Sequence, residues 1–70
     1  MFEACRTYEG ENGVNWTVIA PPVVTQSGTV IMMVRNLYYN YIAIASPGSS
    51  VATVYMDDGS IEKMTDKEVS

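Results

Sequence analysis

The sequence has no histidine and a single cysteine, Cys5. The first lack removes the commonest zinc ligand sets and the usual base for activating a serine or cysteine nucleophile. The second means that no disulfide can close within the chain. Cations are also scarce. Arg6, Arg35, Lys63 and Lys67 stand far apart against eight Asp and Glu, for a net charge of −4. Phosphate backbones are bound by clustered Lys and Arg, so nucleic acid is a poor partner. Eight carboxylates are likewise too sparse for acidic mimicry of DNA. No apolar run approaches the roughly 18 residues of a membrane span. The start, Met1-Phe2-Glu3-Ala4-Cys5, lacks the basic residues and apolar stretch of a signal peptide. An unpaired cysteine without an export signal predicts a cytoplasmic protein.

Apolar residues, by contrast, are plentiful. Of the 70 residues, 47% are hydrophobic and only 17% charged, against about 25% charged in an ordinary domain. A chain of this length makes one domain, residues 1–70, and buries only about 60% of the surface that its unfolded form exposes. So small a core cannot hide that many apolar side chains. Chains this short are usually reinforced by disulfides, a metal or association. With no disulfide possible and the usual metal ligands missing, association is expected, as a homo-oligomer or a stable complex with another protein. The aromatic residues point the same way, because Tyr and Trp offer large contact area with a polar handle. Trp16, Tyr38, Tyr39, Tyr41 and Tyr55, together with Met33, are the candidate partner-binding residues; no catalytic, cofactor or metal site is assigned.

Along the chain every segment reads as strand, separated by turn chemistry. Phe2 to Glu9 and Val14 to Ala20 flank Asn12-Gly13, a pair suited to the φ > 0 positions of a type I′ turn. A two-residue loop there places Glu9 opposite Trp16, Thr7 opposite Val18 and Cys5 opposite Ala20. Pro21-Pro22 ends the second strand, since proline donates no ladder bond. Val23-Val24-Thr25 can resume as an edge. Thr29 to Ala45 is too long for a single strand, and Arg35-Asn36 is the expected turn, giving strands near 29–34 and 38–45. A helix over 37–45 competes, because apolar periodicity does not separate the two. Val51 to Met56 alternates, Asp57-Asp58-Gly59 turns the chain, and Ser60 to Met64 returns. Thr65 with Glu68 fits a capping box and predicts one helical turn at the C-terminus. The fold expected is all-β: a small barrel or strongly bent antiparallel sheet of five to six strands.

Three features invite a chemical reading. Tyr55-Met56-Asp57-Asp58 looks like the metal-binding tetrapeptide of reverse transcriptases, yet the third carboxylate, palm sheet and template channel have no room in this chain. Asp-Asp-Gly as a tight turn accounts for the same residues. Asp57, Asp58 and Glu62 offer oxygen ligands for calcium, but their spacing departs from the helix-loop-helix pattern. Cys5 lacks a histidine to activate it and is expected to pack as a small apolar group near Ala20.

Val54 to Met64, followed by Thr65 to Val69, is similar to the closing hairpin of SH3-like small β-barrels of the Tudor and KOW type: strand, acidic-Gly turn, strand, short helical turn. The stretch from Tyr8 through a turn to Trp16-Thr17-Val18 resembles the start of the same barrels. The resemblance implies the barrel alone and no binding residues, because Thr29 to Ala45 is longer and more apolar than those modules carry.

Three functional readings follow. The first is a small non-catalytic protein-interaction module. Short acidic chains of this kind are common among phage and mobile-element accessory proteins that bind and inhibit a larger host protein or defence system, acting in the host cytoplasm. The second is a structural subunit of a homo-oligomeric assembly, with Thr29 to Ala45 as its interface. The third is an oligomeric binder of a small ligand such as a nucleotide, held on Tyr and Trp faces between subunits.

Overall fold

The computed structural model describes residues 1–69. Seven strands form: β1 (Thr7–Gly10), β2 (Asn15–Val18), β3 (Val23–Val24), β4 (Val30–Asn36), β5 (Tyr39–Ala45), β6 (Val51–Tyr55) and β7 (Ile61–Glu68), with a single 3₁₀ turn at Glu11–Gly13. All pairings are antiparallel. The sheet order β2-β1-β7-β6-β5-β4-β3, with β2 also paired to β4, closes six strands into a barrel and leaves β3 outside it. The expected all-β barrel is thus what forms.

Strand β4 makes that closure possible. Its first half pairs with β3 (Val23↔Ile31, Val24↔Val30) and its second half with β2 (Thr17↔Arg35, Val18↔Val34). The break between β2 and β3 falls at Pro21-Pro22, which have no N–H to give to β4. Closure leaves the two-residue β3 as the exposed edge among the described strands, too short to recruit other strands readily.

Alternation along the strands fills the barrel. Met32 and Val34 on β4, Ala43 and Ala45 on β5, Ala52 and Val54 on β6, and Met64 on β7 are all buried. Three alanines leave room for two large rings from the facing strands, Tyr8 and Trp16. The first residues plug one end. Phe2 meets Tyr8 edge-on at 5.1 Å, and the Tyr8 hydroxyl accepts from Glu3 N–H at 2.7 Å while donating to Met1 C=O at 3.2 Å.

Several local expectations are overturned. No helical turn forms after Thr65. Those residues complete β7, whose Thr65 pairs with Val51 and whose Glu68 pairs with Tyr8. Both β6 and β1 need that ladder to close the barrel, and tertiary pairing outweighs a local cap. Residues 39–45 are strand, so the helical alternative fails. The turn before them lies at Leu37-Tyr38, two residues beyond Arg35-Asn36, with Asn36 opposite Tyr39. Strand β1 begins at Thr7 rather than Phe2, because Cys5 takes a left-handed conformation (φ 67°) that bends the chain. Cys5 is exposed instead of packed, and Ala20 is exposed as well.

The first hairpin shows why register was misjudged. Asn12 (φ 56°) and Gly13 (φ 76°) do form the left-handed pair, closed by Val14 N–H to Glu11 C=O at 2.9 Å. Val14 C=O then also accepts from Gly10 N–H at 2.8 Å. Gly10 and Glu11 therefore share one partner, a bulge that slips the register by one. Tyr8, not Glu9, stands opposite Trp16, and Thr7 faces Thr17, not Val18. Only glycine fits at the bulge: a Cβ at Gly10 would lie 2.5 Å from Val14 O and 2.8 Å from Trp16 Nε1.

Candidate interaction surface

Residues that alternate with the core face outward, and on β4 to β7 many of them are apolar. Met33 pairs with Ile42, Ile42 with Tyr55, and Tyr55 with Ile61. These four side chains form one straight row across four strands and remain 43%, 40%, 48% and 52% exposed. At about 4.8 Å per strand the row is roughly 14 Å long. Beside it runs Ile31–Ile44–Thr53–Lys63. On the other side lie Arg35 and Asn40, paired across β4 and β5. Asp57, just past β6, joins Asn40, Met33, Tyr41, Ile42 and Tyr55 around a shallow depression of about 270 Å³. A continuous exposed apolar patch rimmed by polar groups is the usual mark of an interface.

The patch runs on to the barrel end at the β4–β5 turn. Tyr39 and Tyr41 stack with centroids 6.3 Å apart and rings 13° from parallel. Tyr41 also meets Trp16 at 5.8 Å, edge to face, so this pair links surface to core. Burial, and then the nearby Asp57 carboxylate, push the Tyr41 phenol above its ordinary pKa. At the tip, Leu37 and Tyr38 are 76% and 87% exposed. Leu37 takes φ 55°, a conformation that costs a non-glycine residue about 1–2 kcal/mol. A large apolar side chain there serves neither the turn nor the core.

Of the six residues singled out from sequence, Met33, Tyr41 and Tyr55 line the depression, Tyr39 stacks beside it, and Tyr38 sits at the adjacent tip. Trp16 departs from the group. It is 1% exposed, one of the largest fully buried side chains, and out of reach of a partner on the intact barrel. Ile42 and Ile61, which complete the row, were missed. Their signal was present in the register: both fall opposite Tyr55 on neighbouring strands. Of the Asp57-Asp58 string, the Asp58 carboxylate serves the turn. Ser60 donates to Asp58 Oδ1 through its backbone N–H at 2.9 Å and its hydroxyl at 2.6 Å, which lowers the Asp58 pKa.

The opposite end of the barrel carries a larger depression, about 610 Å³, with Phe2, Val24, Val30 and Ala45 on its apolar wall and the 46–50 loop at its rim. Among the described residues, two buried side-chain polar atoms lack a hydrogen-bond partner, Trp16 Nε1 and Glu62 Oε1. Among the described residues no helix is long and apolar enough to cross a membrane. No known protein family matches this chain, and neither characterised proteins nor solved structures give a significant match.

Proposed function

We propose that this protein is a small non-catalytic interaction module that works by docking the outer face of β4–β7 against another protein. The observation that carries the reading is the Met33–Ile42–Tyr55–Ile61 row. Four apolar side chains in register on solvent-facing positions of a closed barrel do nothing for the core, whereas aromatic residues and methionine are the types enriched at interface centres. The strained, exposed Leu37 at the β4–β5 turn supports it, since backbone strain tends to be retained where it serves a function. Chain size and acidity favour an accessory role in the cytoplasm. Kinship with the SH3-like small barrels belongs to the same proposal. The closing β6–β7 hairpin with its acidic-Gly turn supports it, and the extra strand β3 and the missing C-terminal helical turn depart from it.

Site-specific photo-crosslinking in the producing cells tests the reading. A benzophenone amino acid placed at Tyr55 or Ile61 should give one discrete protein adduct, and the same probe at Glu3 should give none. The Tyr55 adduct should vanish when Ile42→Asp is added. Absence of any adduct from the row would sink the proposal.

A further inference from the structure

We infer that the partner of this face is a second copy of the chain, in a two-fold dimer whose axis runs parallel to β5. The inference rests on the reading that the outer face binds protein. An axis parallel to β5 and midway between two facing copies returns β5 onto the partner's β5 and exchanges β4 with β6. Ile42, at the centre of the row, then meets the partner's Ile42. Met33 and Tyr55 flank Ile42 at the same level on β4 and β6, so Met33 lies over the partner's Tyr55, a favourable sulfur–ring contact. Two residues further along each strand, Arg35 on β4 and Asp57 beyond β6 flank Asn40 at one level. The same rotation sets Arg35 against the partner's Asp57, twice per dimer.

The charges of one chain support this placement. Among the described residues, Arg6 pairs with Glu68, Lys67 with Glu9, and the N-terminal ammonium with Asp66. Lys63 Nζ donates to Thr53 Oγ1. Arg35 has only one hydrogen bond, from Nε to Leu37 C=O at 2.9 Å. Its Nη groups and the Asp57 carboxylate have no partner among the described residues. This unpaired cation and this unpaired anion sit at one level on opposite sides of β5, beside the apolar row, so a two-fold axis along β5 brings each against the other, as an isologous interface requires. The axis leaves the two β5 strands parallel, inside the roughly 30° within which aligned sheets pack. An ordinary interface covers about 800 Å² per partner, roughly a sixth of the 4573 Å² surface of this chain. Three strand faces, together about 14 Å wide and roughly 20 Å long at ordinary strand spacing, cover less than that, so the dimer is a weak and reversible one.

Charge exchange tests the geometry. Sedimentation equilibrium of the full chain from about 1 µM to 1 mM spans the range in which a small interface dissociates. The wild type should pass from monomer to dimer. Arg35→Asp alone, and Asp57→Arg alone, should each weaken association by about tenfold or more, because each sets two like-charge contacts across the axis. An equimolar mixture of the two variants should restore dimer, since the heterodimer regains both opposite-charge contacts. Both positions are exposed, so circular dichroism should be unchanged. A wild type that stays monomeric at the top concentration overturns the second copy. So do single variants that dimerise normally, or a mixture that fails to restore. A protein adduct of different mass at Tyr55 would then leave the interaction reading standing, whereas a monomer with no adduct removes both.

Discussion

Ile42 and Ala43 are neighbours on β5, yet Ile42 lies in solvent opposite Tyr55 while Ala43 is fully buried opposite Val54. The larger side chain is on the outside. Filling the inside with alanine is a consequence of the barrel's narrow bore, which already holds Trp16 and Tyr8. Ile42→Ser should therefore cost less than about 1 kcal/mol, the scale of one cross-strand pair. Ala43→Leu should cost roughly 1–3 kcal/mol through overpacking. Urea unfolding of both variants checks the contrast, and an equal or reversed order would mean that the row belongs to a core.

Leu37 gives the fold little. Replacing it by glycine removes about 1–2 kcal/mol of left-handed strain, offset by the roughly 0.4–1 kcal/mol that glycine gives to the unfolded chain. The net expectation is a gain near 0.5 kcal/mol, which raises Tm by about 2–4 °C in a domain of this size. The same variant should lose crosslinked partner, because the exposed side chain is gone. A fall in Tm would show that Leu37 packs on something in the folded protein.

At Gly10 the expectation is reversed. Its hydrogen position faces Val14 O and the Trp16 indole, both fixed by the barrel. Gly10→Ala should destabilise by at least about 2 kcal/mol, in the range of mutations that force core and backbone apart. Gly13 is the control. It sits at φ 76° in open space, so Gly13→Ala should cost only about 1 kcal/mol, the conformational penalty alone. If the two variants melt together, the bulge has no structural weight.

Gly10 also marks the limit of what could be read from the chain. Asn12-Gly13 identified the turn type and Asp57-Asp58-Gly59 the last hairpin, because φ > 0 positions leave a compositional trace. The bulge leaves an ambiguous one: Gly10 is required there, but a glycine beside a turn does not by itself tell that Gly10 and Glu11 share Val14 as partner. Thr65 to Glu68 carried a genuine local helix signal, and the ladders of β1 and β6 overrode it. Tyr38, Tyr39 and Tyr41 could be singled out because they cluster between Leu37 and Ile42, but which rings face solvent was not legible. Trp16 was not separable from them, since its burial depends on the alanines of β5 and β6 on the far side of the barrel.

Tyr41 offers a readout of the candidate surface that needs no partner. Its phenol is held above the ordinary value of about 10, first by burial and then by Asp57, with smaller contributions from Tyr39, Asp58 and Glu62. A raised folded pKa means that the neutral phenol is favoured in the folded state. Its contribution to stability is complete below about pH 10 and is lost as pH rises through the folded value. Phenolate absorbance near 295 nm, taken as wild type minus Tyr41→Phe, should show this ring ionising above pH 10. Asp57→Asn should move the midpoint back down, since it removes the largest charge acting on the ring while leaving the burial. A midpoint indifferent to Asp57→Asn would place that carboxylate away from the depression, and with it away from the position that an ion pair with Arg35 of a second copy requires.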